Sequence, residues 1–408
     1  MKRLLAASIV ALLAVTACGT EPPSVEVQPV SMRLTDASSG FGLKLLGRLL
    51  ADPEAGNVFI SPLSATILLS MVASATEGDA RRQMLTSLGL DPTVDPSSEI
   101  AQTIQRLAKS DSNAQLEIAQ AVWAQKGLDL SPTYVAKLRD DYKAEMANLD
   151  FTSPQAVKTV NDWVDNATHH KITSIVESFD PTTVGFLVNA TYFHALWTIE
   201  FSGLNRLGDF TTFAGGAARV PIMRRDQNVV QLTTPDYWAA LLPYKGGRFS
   251  ALVILPSKVL SPREFSSFLT LSRWTSAMDY LRKAVGPTFG AKCQDQGFGD
   301  SGVSCDGTLE MPKFELEYKS DLNKALNAVG YPVPAGMPGF CSGCFLSLVI
   351  QKTYLKVDEK GTTAAAVTGG VVDTALRQEM VVNRPFALAL IDNASGAPLF
   401  LGAIGNLG

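Results

Sequence analysis

The order of helical and strand-like periods along the chain is the strongest constraint on its fold. Apolar residues recur at helical spacing in 39–51, 63–76, 98–110 and 155–169, all in the first half. Strand-like runs then take over: GFLVNATYFHALW, WAALLPY, SALVILP, TLEMPKFELEY, LVIQKTYLKV, MVVN, FALALID and PLFLGAI. Helices early and strands late, without β-α-β alternation, predict an α+β fold with largely antiparallel sheets. NVFISPLSATILLSMV marks one junction, a short apolar strand followed by Ser61 and Pro62 as the cap and first turn of a helix. No Pro/Gly/Ser-rich linker divides residues 35–408, so that span reads as one domain.

The net charge is −4 with no basic patch, which excludes nucleic acid as a partner. The segment MKRLLAASIVALLAVTAC has two cations, an apolar run and small residues before a cysteine, which is export-signal chemistry over residues 1–17. Its end, Val15-Thr16-Ala17-Cys18, resembles the lipobox of bacterial lipoproteins, which implies lipidation of Cys18. Residues 18–34, with adjacent prolines at 22 and 23, read as a tether. The apolar run is too short to span a membrane comfortably. The expectation is an exported monomer, at the cell envelope or outside the cell, touching a membrane only through the lipid on Cys18.

Some motifs suggest chemistry. Gly299-Asp300-Ser301-Gly302 surrounds the nucleophile of trypsin-like proteases, but a serine nucleophile needs a positioned histidine base. The only histidines are His169 and His170, in a polar THHK context, and His194, inside a strand-like run. A hydrolase acting through Ser301 is therefore the weakest reading. Cys293, Cys305, Cys341 and Cys344 include a C-x-x-C pair that could bind zinc. The spacing is lopsided, no histidine lies nearby, and exported chains favour disulfides, with three pairings open. No phosphate loop, dinucleotide fingerprint or paired-histidine metal motif is present, so neither a cofactor nor a metal is expected.

Residues 359–372, EKGTTAAAVTGGVV, carry no charge, no proline and no side chain larger than valine after Lys360. A core strand would be bulkier and a solvated linker more polar. The stretch suits a segment exposed at first and able to enter a sheet later. LVIQKTYLKVD precedes it, and Asn383-Arg384-Pro385-Phe386 and ALALIDNASGAPLFLGAIGN follow. This order resembles the C-terminal third of the serpins. NVFISPLSATILLSMVASATEGDARRQM, VNDWVDNATHHKI, LVNATYFHALWTIEF, VPIM and LPYKG extend the resemblance over nearly all of residues 35–408.

The resemblance implies helices plus three largely antiparallel sheets and an exposed reactive-centre loop. It implies a suicide inhibitor of serine proteases: the loop is cut, an acyl-enzyme forms, and residues of about 361–374 insert into the main sheet. Alternate side chains of an inserted strand face opposite ways, giving Thr362, Ala364, Ala366, Thr368, Gly370 and Val372 on one face and Thr363, Ala365, Val367, Gly369 and Val371 on the other. Neither set buries a charge or a proline. About ten new hydrogen bonds at ~1 kcal/mol each would contribute on the order of 10 kcal/mol.

Glu359, Gly361, Thr362, Ala364, Ala365 and Ala366 take the hinge role by the same resemblance. Counting from Glu359 places the cleaved bond at Ala375–Leu376, with Thr374 and Arg377 as alternative bait residues. Small uncharged residues there point to elastase-like or subtilisin-like targets, whereas Arg377 would point to trypsin-like ones. Cysteine proteases stay open as targets. Ser61, Ser64, Asn189 and Trp197 match positions that control sheet opening. At the family's usual histidine stands Gln351, whose amide both donates and accepts but cannot charge near neutral pH. The resemblance also implies two local disulfides, Cys293–Cys305 and Cys341–Cys344. A non-inhibitory binding protein on the same fold is the alternative.

Overall fold

The computed structural model describes residues 32–52, 55–108, 113–285, 303–362 and 378–407. Outside them lie residues 1–31 with Cys18, and also Cys293, Ser301, Ala364, Ala365, Ala366, Thr374, Ala375, Leu376 and Arg377. The helices are α1 (Met32–Leu50), α2 (Pro62–Ser74), α3 (Gly78–Ser87), α4 (Ser97–Leu107), α5 (Pro132–Asp140), α6 (Pro154–Ala167), α7 (Pro262–Phe268), α8 (Leu271–Val285) and α9 (Asn323–Ala328). The first strands are β1 (Val58–Ile60), β2 (Ala114–Gln125), β3 (Glu145–Leu149), β4 (Gly185–Leu196), β5 (Ser202–Thr211), β6 (Ala217–Thr233), β7 (Tyr237–Pro243) and β8 (Phe249–Pro256). The rest are β9 (Val303–Pro312), β10 (Phe314–Asp321), β11 (Ala335–Gly336), β12 (Phe345–Leu346), β13 (Ile350–Val357), β14 (Gly361–Thr362), β15 (Glu379–Val381), β16 (Phe386–Asp392) and β17 (Pro398–Ile404).

Residues 62–73 of α2 are all buried, so this helix runs through the core instead of along its surface. Strands β7, β8, β16 and β17 are buried at nearly every position and lie in a nine-stranded sheet ordered β1-β17-β16-β8-β7-β6-β9-β15, with β5 on β6. Their near-continuous apolar runs follow from cover on both faces. TLEMPKFELEY, expected as one strand, is two: β9 ends at Pro312 and β10 starts at Phe314 in a different sheet. Proline cannot donate to a ladder, and the chain turns there.

The remaining sheets show why three were expected and more are counted. Strands β14-β4-β2-β3 form one sheet, β10-β13 another and β11-β12 a short ribbon. Helix α6 packs Ala156, Val160 and Val164 on Trp123 and Val188 of the four-stranded piece, closing its outer face. The opposite face joins the main core above α2, through Leu116, Val122, Phe193 and Ala195. The four-stranded and two-stranded pieces lie side by side as halves of one main sheet, and among the described residues β4 and β13 share no ladder. That division positions the site.

Candidate functional site

Strand β4 runs from Gly185 to Leu196, and its far end pairs with β14 in antiparallel register: Gly361 with Leu196 and Thr362 with Ala195. Strand β13 runs the same way, since its start at Ile350–Gln351 lines a cavity with Asn189 and its end at Val357 leads into β14. A strand entering from β14 would therefore run antiparallel to both neighbours. The edges of β4 and β13 form a slot, and the expected hinge stands at its mouth.

The mouth is tightly held. The Trp197 backbone N–H donates to the Lys360 carbonyl at 2.8 Å and its indole Nε1 donates to the Asp358 carbonyl at 2.9 Å. The Phe201 N–H donates to the Glu359 carbonyl at 2.7 Å. Asp358 Oδ1 accepts from the N–H groups of Lys360 and Gly361, and Asp358 N–H closes the turn on the Gly361 carbonyl at 3.0 Å. Glycine is required at 361, where a Cβ would lie 2.2 Å from the Ala195 carbonyl oxygen. The Trp197 ring is buried against Tyr244, centroids 4.3 Å apart and stacked. The Glu359 carboxylate accepts from Lys313 Nζ at 3.2 Å.

A second polar cluster sits about two-thirds of the way down β4, level with the start of β13. Gln351 Oε1 accepts from the Ser61 N–H and Gln351 Nε2 donates to the Ser61 carbonyl, both at 3.2 Å. Ser64 Oγ donates to Asn189 Oδ1, which also accepts from Thr191 Oγ1 at 3.1 Å. Asn189 Nδ2 is buried without a hydrogen-bond partner among the described residues. Beside it is a cavity of about 10 Å³ lined by Ser64, Asn189 and Gln351, among others.

Ser61 is the N-terminal cap residue of α2, but its hydroxyl makes no capping bond and instead donates to the Leu399 carbonyl at 2.6 Å. That bond ties the helix start to β17. The five expected sheet-opening residues fall in two places. Ser61, Ser64, Asn189 and Gln351 meet at the start of β13, whereas Trp197 is at the mouth, eight residues along the chain from Asn189 and ~26 Å away.

Sequence reasoning missed a strap over the outer face. After α6, His169 Nε2 lies 3.0 Å from Glu117 of β2 and its ring is 4.3 Å from that of Tyr192 on β4. Further on, Lys171 stands 5.7 Å from the Tyr354 ring and the Ser174 carbonyl accepts from Lys352 Nζ at 3.0 Å, both partners on β13. The segment thus bridges both halves of the sheet. THHK was visible as a polar turn, but nothing local indicated what it would reach.

Past the expected loop, β15 pairs with β9 in parallel. Arg224 donates to Asp226, to Glu310 at 2.8 Å and to Glu379 of β15 at 2.5 Å. The Asp226 bond first, then those to Glu310 and Glu379, outweigh burial and hold the guanidinium pKa above its ordinary value. Cys341 and Cys344 are disulfide-bonded, Cα atoms 5.3 Å apart. Cys305 is also in a disulfide, and its expected partner Cys293 lies outside the described residues. No group of three or more potential metal ligands occurs among the described residues.

The chain matches the serpin (serine protease inhibitor) family over residues 36–407. It is 30% identical to Serpin-Z7 of Hordeum vulgare, covering 90% of this chain and 94% of that one. It is 27% identical to the leukocyte elastase inhibitor of Sus scrofa, covering 91% and 99%. The structure of the thermophilic serpin tengpin in its native state superposes with a TM-score of 0.77 at 25% identity, covering 94% of this chain and 98% of tengpin. With a family match over residues 36–407 and a native serpin superposing on nearly the whole chain, the protein belongs to the serpin family.

Proposed function

We propose that this serpin is an irreversible suicide-substrate inhibitor of serine proteases. One observation carries the reading: β14 already occupies the first two positions of the slot, in antiparallel register with β4. Continuing that register places residue 368 opposite Asn189 and residue 372 opposite Gly185, the foot of the strand. Residues directly paired share a face, so the set beginning Thr362-Ala364-Ala366 would face the core and the set beginning Thr363-Ala365 would face α6. Small uncharged residues suit both environments. The bait would then sit just beyond the foot, so a protease acylated there is carried the length of the sheet.

The cut is assigned to Ala375–Leu376, with Thr374 or Arg377 as alternatives, and the targets to elastase-like or subtilisin-like enzymes. The family is mostly protease inhibitors, with some non-inhibitory members, and one relative is by name an elastase inhibitor. Cys18 carries the lipid that holds the exported protein at a membrane. No helix among the described residues is long and apolar enough to cross one.

The test mixes the protein separately with pancreatic elastase, subtilisin and trypsin, followed by denaturing gels and mass spectrometry. The expected product is an SDS-stable adduct plus a C-terminal peptide beginning at Leu376. A peptide beginning at Gln378 moves the bait to Arg377. Clean cleavage by every protease without an adduct overturns inhibition in favour of a non-inhibitory serpin.

A further inference from the structure

The turn carrying Cys341 and Cys344 joins the feet of the two halves of the main sheet. On one side, Phe340 is buried against the start of β4: a Cβ on Gly185 would lie 2.5 Å from the Phe340 ring. Phe340 also packs edge-on against Tyr134, and the Gly339 N–H donates to the Ala75 carbonyl at the end of α2. On the other side, Phe345 and Leu346 pair with β11 and lead through Val349 into β13. Between these anchors are only the four residues CSGC. Their turn is closed by the Cys344 N–H on the Cys341 carbonyl at 3.1 Å and needs the left-handed Gly343, φ 75°.

The disulfide therefore limits how far the anchors can part. Its Cα atoms are 5.3 Å apart, whereas three reduced residues could extend to roughly 10 Å. The released slack, roughly 5 Å, matches the ~4.8 Å by which β4 and β13 must separate to admit one strand. The bond is also approachable. Cys344 is only half-buried, Ser342 and Gly343 beside it are exposed, and Phe345 is 61% exposed, whereas Cys341 is buried.

We propose that Cys341–Cys344 is a reducible clamp on the foot of the slot, and that its reduction by a dithiol lets the main sheet open more readily. A thiolate of the donor attacks Sγ of Cys344, the bond to Cys341 breaks, and Cys341 leaves as a thiolate that takes up a proton. The donor's second thiol, deprotonated, then displaces Cys344 from the mixed disulfide, and the donor leaves as its cyclic disulfide. Two electrons pass to the protein. This rests on the trapping reading for its consequence, but the clamp itself does not require a protease.

The test uses the full-length, uncleaved protein with and without dithiothreitol. Iodoacetamide labelling and mass spectrometry identify the cysteines reduced, and hydrogen–deuterium exchange follows peptides covering 185–196 and 350–357. Reduction is expected to accelerate exchange at the foot of β4 and at the start of β13 by about fivefold or more. The Cys341→Ser/Cys344→Ser variant should behave like the reduced protein and Cys293→Ser/Cys305→Ser like the oxidised one. Unchanged exchange after verified reduction overturns the clamp, as does a bond that resists dithiothreitol in the folded protein. Faster exchange with no adduct to any protease leaves the clamp standing and removes the trapping reading.

Discussion

Replacing Gly361 with alanine should uncouple the hinge from the sheet. The new Cβ would lie 2.2 Å from the Ala195 carbonyl oxygen and 2.7 Å from Leu196 Cα, backbone atoms held within a ladder. Relief requires the hinge to move out by about 1 Å, which stretches the Trp197–Lys360 and Phe201–Glu359 bonds of 2.8 and 2.7 Å beyond hydrogen-bond range. Losing two bonds costs ~2 kcal/mol. The uncleaved variant can rest in this displaced position, but strand entry must draw the hinge back into register against the clash; a penalty of ~2 kcal/mol met only in that transition state slows insertion about 30-fold.

An acyl-enzyme hydrolysing at its usual rate would then escape more often, so adduct gives way to cleaved serpin. Elastase titration on denaturing gels reads the ratio of the two products. Gly40→Ala, where nothing lies within 4 Å of the added Cβ, is the control and should leave the ratio unchanged. A folded Gly361→Ala protein with a ratio within about threefold of the parent would refute the reasoning, because the ~2 kcal/mol would not have reached the insertion step.

Gln351→Ala orphans the buried Ser61 N–H and removes one of two bonds to its carbonyl. The native form should lose about 2–3 kcal/mol in urea titration. Gln351→His should keep stability at pH 8 but lose it as pH falls through about 6.5. The ring nitrogen facing the Ser61 N–H must be unprotonated to accept, so the native state would bind that proton less readily than the unfolded chain, and stability falls with pH. The parent should show no such loss from position 351. Arg224→Ala should release β15, leaving Glu310 with Arg206 alone and Glu379 without its cation. About 1–3 kcal/mol and faster exchange at residues 379–381 are expected.

What the sequence determined by itself was local. Period and punctuation defined α2, α6 and the strands β7, β8, β16 and β17. Strand β2 escaped because AQLEIAQAVWAQ is rich in helix formers; it is extended because β3 and β4 flank it and complete its ladders. Tertiary structure alone decided the partners. The Ser61 hydroxyl looks like a helix cap in sequence, yet it bonds a carbonyl 338 residues away. Gln351 needed its side chain beside the Ser61 backbone, 290 residues distant, before its amide had a use. The slot, its strap and the disulfide turn at its foot arise between elements far apart in the chain. Periodicity reports which faces are apolar, whereas register and long-range hydrogen bonds depend on which distant groups packing brings together.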